Sequence, residues 1–355
     1  MRLSSRTKTR LFLLLILTLV LTGCGKFSGK TAETNTPEPT GEITAAPTAE
    51  PTRVPTPEPT STPTPEPTPT ATPSPSPTPE PTPFTIAWMS DTQNLSRSFP
   101  EVFNSMRDWV LENREKQNIV FFVHTGDVVD ALGPEMKKNA EEALTPVVEA
   151  IPGMIASGNH DQGPNGEHYW FVDRSYVKAV QKEGQIYLDG CAAYTTFEAA
   201  GEEFLVLGIG YNINTRFTAW VDRVISEHPG AIVIYVLHFG MEENGHLSGQ
   251  AKKLFDTSIK NTPTARLMLC GHMRGSVRRT DWFDDNGDGE GERSFTSMMF
   301  NYQDDFTDGL GYLRLLTFYP DDRHIEVKTY SPWLDSWHYV KAAEGDDEFT
   351  LPDAF

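Results

Sequence analysis

At 355 residues the chain has room for one large domain or two small ones, but its 27 prolines are unevenly spread. Most fall between Thr31 and Pro83, which leaves about 270 residues, roughly Phe84 to Phe355, for a single-core α/β domain. Basic and acidic side chains balance up to Pro83, so the net charge of −19 belongs almost wholly to that domain, and its general field excludes nucleic-acid binding by repelling a phosphate backbone.

Met1 to Arg10 carries Arg2, Arg6, Lys8 and Arg10, Leu11 to Leu21 is almost purely apolar, and Leu21-Thr22-Gly23-Cys24 follows. That order reads as a secretory signal, and the apolar run is short for a spanning helix. The cysteine after Gly23 resembles the lipobox of bacterial lipoproteins. The resemblance implies a signal peptide over residues 1–24, a lipid on Cys24, and anchoring to the outer side of the cell membrane. Residues 25–83 then form a Pro/Thr/Glu-rich linker with almost nothing to bury against the entropy of folding. Alternating prolines favour extended polyproline, so fifty such residues reach more than about 100 Å as a passive spacer.

From Phe84 the chain alternates short apolar runs with amphipathic stretches, as βαβ units do. Strands are expected at Phe84–Met89, Ile119–Val123, Gly153–Ala156, Phe204–Ile209, Ile232–Leu237 and Leu267–Cys270. Helices are expected at Phe99–Lys116, Glu135–Ala150, Thr218–Ser226 and Gly249–Ser258. Alternating runs at Phe295–Phe300, Tyr312–Phe318 and Ile325–Tyr330 read as antiparallel strands. The expected fold class is α/β, two packed mixed sheets with helices outside. Cys191 and Cys270 read as buried free thiols, a disulfide being the alternative.

Polar clusters stand just past the C-terminal ends of five of these strands: Ser90-Asp91-Thr92-Gln93, Gly126-Asp127-Val128-Val129-Asp130, Gly158-Asn159-His160-Asp161, His238, and Gly271-His272-Met273-Arg274. Strand C-termini are where open α/β sheets place ligands. Carboxylate, amide and imidazole groups gathered there suit a divalent cation, and a cation supplies the positive charge that an anionic substrate would need from so acidic a domain.

The clusters resemble those of the calcineurin-like metallophosphoesterases: Asp-x-His, Gly-Asp-x-x-Asp, Gly-Asn-His-Asp or Glu, a lone His, then Gly-His-x-His. The likeness runs from Phe84 to about Pro332, and a bacterial branch beginning Ser-Asp-Thr-Gln is similar also at Asn301-Tyr302-Gln303 and Thr329-Tyr330-Ser331-Pro332. The resemblance implies a four-layer α-β-β-α sandwich holding Mn, Fe, Zn or Mg. It implies that Asp127 bridges two metals, that Asn159, His238 and His272 complete one site, and that Asp91 ligates the other. His160 would be the general acid with Asp161 oriented to hold it, and Asp130 would fix a ligand by hydrogen bonding.

Two positions depart from that pattern, and both concern the same metal. Gln93 stands where a ligand His is usual, and Arg274 where the final His belongs. A Gln oxygen can ligate a hard cation weakly; an Arg stays protonated and cannot. One tight site and one weak or vacant site are therefore expected, with Arg274 either facing the substrate phosphate or turned away. The implied activity is hydrolysis of a phosphomonoester or phosphodiester outside the cell by a metal-activated hydroxide, with His160 protonating the departing oxygen. The alternative is a surface module that binds phosphorylated ligands without turnover.

Other residues have plainer readings. His124 reads as a buried structural histidine, His246 as loop, and His168 as pocket-lining or structural. Asp284 to Gly289 imitates the start of a calcium loop, but Phe295 replaces the twelfth-position Glu, so an acidic hairpin is expected. Tyr302, Trp333 and Trp337 are candidates to flank the cleft or to pack in the core.

Overall fold

The computed structural model describes residues 82–213, 217–303, 310–339 and 345–355. The signal segment, Cys24 and the linker up to residue 81 lie outside the described residues, within which no helix is long and apolar enough to cross a membrane. Two seven-stranded sheets form the centre. The first contains β1 (Phe84–Met89), β2 (Ile119–His124), β3 (Gly153–Ile155), β11 (Leu313–Tyr319), β12 (His324–Ser331), β13 (Ser336–Trp337) and β14 (Phe349–Leu351). Its order is β13-β12-β11-β1-β2-β3, with β14 paired to β12. The second contains β4 (Ile186–Tyr187), β5 (Ala192–Ala199), β6 (Glu202–Ile209), β7 (Ile232–Leu237), β8 (Ala265–Cys270), β9 (Gly275–Phe283) and β10 (Arg293–Asn301), in the order β4-β5-β6-β7-β8-β10-β9.

Strands β1, β2 and β7 are apolar along nearly their whole length because both their faces are covered. In β2, Phe121 and Val123 point into the core between the sheets, while Ile119 and Phe122 point to the helices outside. In β7, Ile232, Ile234 and Val236 face the other sheet, and Val233, Tyr235 and Leu237 face their own helices. Each such side chain contributes about 1.5–3 kcal/mol by leaving water.

Outside the first sheet pack α2 (Pro100–Asn113), α3 (Pro134–Ala150) and α5 (Ser175–Val180). In α3 the residues Ala140, Ala143, Leu144, Val147 and Val148 make one buried stripe at helical spacing, and Pro134 starts the helix where its missing N–H costs nothing. Outside the second sheet pack α6 (Phe217–Glu227) and α7 (Gly249–Thr257); the Ser248 hydroxyl caps α7 by accepting from the Ala251 amide. The layers run helix, sheet, sheet, helix, as expected.

Some elements depart from expectation. The run Phe295–Phe300 does not sit in a purely antiparallel sheet: β10 lies parallel to β8 and antiparallel to β9. Strand β9 escaped the sequence pattern because it is a half-exposed edge with Ser276, Arg278, Arg279, Thr280 and Asp281 in its middle, which pairs by backbone rather than by an apolar face. The short helices α1 (Gln93–Ser98) and α4 (Tyr169–Val172), like α5, are too brief to show a period. Cys191 and Cys270 are both buried and unbridged.

Candidate metal centre

The two sheets end side by side, and the five clusters meet there. Asp91, Asp127 and Asn159 leave the first sheet after β1, β2 and β3; His238 and His272 leave the second after β7 and β8. Three of these exits carry a backbone cost. Asp91, Asp127 and His272 all lie in the left-handed region, at φ 51°, 54° and 71°, which is unfavourable for non-glycine residues and concentrates at functional sites. Glycine precedes the ligands where their side chains come close. A Cβ on Gly158 would stand 2.0 Å from Asp127 Oδ1, and one on Gly271 would stand 2.2 Å from Asp91 Oδ2.

The donor atoms converge. His238 Nε2 lies 3.0 Å from Asn159 Oδ1, 3.1 Å from His272 Nδ1 and 3.3 Å from Asp127 Oδ2. His238 Nδ1 is 2.9 Å from the Thr125 carbonyl, which can only accept, so Nδ1 bears the hydrogen and the neutral ring offers Nε2 as a bare lone pair. That lone pair faces two oxygens that also only accept. Acceptors brought so close need a positive charge between them, a proton or a metal ion, and two imidazoles with two oxygens suit Mn, Fe or Zn.

A sequence profile of calcineurin-like phosphoesterases matches residues 84–273, more than half of the chain. The chain belongs to the calcineurin-like phosphoesterase family. It is 32% identical over 277 residues to the uncharacterized protein YvnB of Bacillus subtilis (strain 168), a match covering 76% of this chain and 21% of that longer protein. Among solved structures it is similar to GAP50, the anchor in the inner membrane complex of Plasmodium, at 14% identity, TM-score 0.46, covering 72% of this chain and 87% of that one. It is similar also to the 5′-nucleotidase from Candida albicans SC5314, at 13% identity, TM-score 0.47, covering 71% and 52%.

Calcineurin-like phosphoesterases use divalent metal ions, and the electrostatics of this centre suit one. Burial opposes a charge on His238, yet the Asp127 carboxylate beside it pulls its pKa up to about 9. Burial likewise opposes ionisation of Asp127, and His238 together with His160 outweighs it, holding the carboxyl below its ordinary value. Without a metal, then, His238 carries the positive charge that a cation would bring. Burial pushes Asp91 up to about 7, helped by repulsion from Asp127. The His272 amide donates to Asp91 at 3.1 Å, and Trp88, Thr125 and Ser90 pass a chain of hydrogen bonds to the same carboxylate.

Gln93 is buried at the start of α1, and its Nε2 donates to Asp127 Oδ2 at 3.1 Å. Its Oε1 is buried without a hydrogen-bond partner, an orphaned acceptor that a turn of the amide would bring to the Asp127 side. Arg274 is exposed in the turn between β8 and β9.

His160 lies beside the centre with its side chain 39% exposed, open to a ligand, and its Nε2 is 4.0 Å from Asp127 Oδ2. Its Nδ1 is held by the Asp130 carbonyl at 3.0 Å and faces Asp130 Oδ1 at 3.3 Å. The expected contact of His160 with Asp161 is replaced by this one. The Asp161 carboxylate instead accepts from the amides of Val128, Val129 and Gly158, tying the β2 and β3 exits together. Burial first, then Asp127, raises Asp161 to about 6.

His124 is structural: it accepts from the Gly126 amide and its Nε2 meets the Thr92 hydroxyl at 3.0 Å. His168 is buried against the Ser157 hydroxyl. The residues Asp284, Asp288 and Glu292 share an exposed β9–β10 hairpin and accept from its own amides. Tyr302 is buried, stacked on Tyr339 and hydrogen-bonded to the fully buried Arg314. Trp333 and Trp337 are exposed, Trp337 on edge strand β13 with β12 and β11 between it and β1. The aromatic side chains that do border the centre are Tyr211 and Phe239, which the sequence reading missed. Phe239 adjoins His238, and Tyr211 follows β6, a sixth strand end without a metal donor; position alone could have flagged both.

Proposed function

We propose that the chain hydrolyses a phosphomonoester or phosphodiester outside the cell, using a divalent cation held tightly by Asp127, Asn159, His238 and His272. The observation that carries this reading is the meeting of those four acceptor groups from two sheets, with His160 open beside them. When bound, the cation supplies Lewis acidity, ionising a water and offsetting charge on the phosphate. The chain's own part is to aim a proton. His160 Nδ1 is committed to the Asp130 carbonyl, so a protonated imidazole donates from Nε2 to the departing oxygen, a contribution of typically 10²–10⁴-fold.

Asp91 and Gln93 would hold a second cation weakly. The hydrogen bond that Gln93 gives Asp127 supports this, because it occupies an oxygen lone pair that a tightly held second ion would take. Arg274, two residues past His272, would lie toward the substrate phosphate. The Ser-Asp-Thr-Gln opening supports placement in the bacterial branch, and the lipobox supports attachment of Cys24 to the membrane, with residues 25–83 as the spacer.

The test is turnover of p-nitrophenyl phosphate and bis-p-nitrophenyl phosphate by the full chain with added Mn, against His160→Ala. Hydrolysis at least 100-fold above the variant is expected. Equal and negligible rates with Mn, Fe, Zn and Mg would replace this reading by a surface module that binds phosphorylated ligands without turnover.

A further inference from the structure

The metal centre has one aromatic side. The Tyr211 ring centroid lies 5.4 Å from that of His272 and 5.9 Å from that of His238; the Phe239 centroid lies 4.6 Å from that of His272. Tyr211 and Phe239 are themselves 6.4 Å apart with planes only 25° from parallel, so the two rings form one nearly continuous wall. Both are half-buried: one part packs on the ligand histidines and the rest stays accessible.

The wall is also rigid. The Tyr211 amide donates to the Ser157 carbonyl at 2.9 Å, and its own carbonyl accepts from Gln162 Nε2 at 2.9 Å. Gln250 on α7 clips the loop at two points, donating to the Gly210 carbonyl and accepting from the Ile213 amide. At Gly210 the chain runs so close to β3 that a Cβ would stand 2.3 Å from Ser157 Oγ.

We infer that Tyr211 and Phe239 form a binding subsite for a flat aromatic group carried on the phosphoester, an aryl alcohol or a nucleobase. The inference rests on the proposed function for the phosphate's position and adds the chemical class of its neighbour. In a chain of net charge −19, much of the affinity for an anion's organic part has to come from uncharged contacts. Stacking on a fixed ring favours an aromatic over a saturated group of similar size.

The test is binding, which needs no turnover. Kd is measured by calorimetry for benzylphosphonate and cyclohexylmethylphosphonate on the full chain with Mn. The wild type should bind the benzyl compound about fivefold more tightly. Tyr211→Ala should bring the ratio close to one, Tyr211→Phe should keep it, and Phe239→Leu, which preserves bulk, should reduce it. Equal affinities in the wild type, no binding of either compound, or a ratio unmoved in both Tyr211→Ala and Phe239→Leu would overturn the subsite. Ester hydrolysis is scored separately. Selective binding without hydrolysis keeps the subsite and removes the activity, and hydrolysis without selectivity does the reverse.

Discussion

Arg97 on α1 pairs with Asp130 on the loop after β2, Nη1 to Oδ2 at 2.5 Å, and the same Asp130 holds His160 through its carbonyl. The general-acid candidate is thus steadied from the helix that opens at Gln93. Asp130→Ala removes the Oδ1 that faces His160 Nδ1 at 3.3 Å but leaves the main-chain carbonyl, so kcat should fall about 10-fold, the low end of the loss for a group that orients a reacting one. Arg97→Ala should cost no more than about threefold, because its side chain is 45% exposed and the pair is screened. With Asp130→Ala the loss should be larger on phenyl phosphate than on p-nitrophenyl phosphate, whose leaving group needs the proton less. An equal loss on both would detach Asp130 from proton delivery.

Metal counting separates the two sites. The wild type should retain one equivalent of Mn after desalting, and His238→Ala should retain none. Saturation at 100 times Kd should stabilise the folded wild type by about 2.7 kcal/mol, read as a shift in urea midpoint that the variant lacks. The double change Gln93→His with Arg274→His should raise the retained metal toward two equivalents. A count that stays at one would mean that the second site is closed by its surroundings rather than by these two side chains.

Gly158 tests the steric argument. Gly158→Ala places a methyl group 2.0 Å from Asp127 Oδ1, so the carboxylate or the loop must move. A destabilisation of about 1–3 kcal/mol is expected, together with loss of bound Mn. Gly249→Ala, where a Cβ meets nothing within 4 Å, is the control and should keep its metal.

Acid should find His124. Burial above all, with repulsion from His238, lowers its pKa to about 3 from an ordinary 6.5. Between those values the unfolded chain binds a proton that the folded chain refuses. The associated stability is complete above pH 6.5 and drains away as pH falls toward 3, by at most about 1.4 kcal/mol per pH unit. Urea midpoints of wild type and His124→Gln compared from pH 7 to pH 4 should show the wild type losing more. Parallel curves would mean that His124 is not held neutral.

The clusters were readable because each is local: an apolar run ends, and a ligand stands within a few residues of it. Asp91 and Asp127 are neighbours because β1 and β2 are adjacent parallel strands, as are β7 and β8 for His238 and His272; Asn159 meets His238 because the two sheets end side by side. What escaped is what depends on several segments at once. Nothing near Asp161 in sequence says that it will cap the amides of Val128 and Val129, and that longer-range bond displaced its expected contact with His160. Strands β5 and β9 lacked a clean pattern because each has polar or small residues on a partly open face. The aromatic wall was invisible for a similar reason: Tyr211 and Phe239 meet only when two loops fold together.

Because Asp91, Asp127 and Asn159 come from one sheet and His238 and His272 from the other, a bound ion is a rivet through the seam of the sandwich. Stripping it with a chelator would do more than silence chemistry. It would free the two halves to breathe against each other at that end, and the amides of β1, β2, β7 and β8 nearest the ligands would be the first to exchange their hydrogens with water.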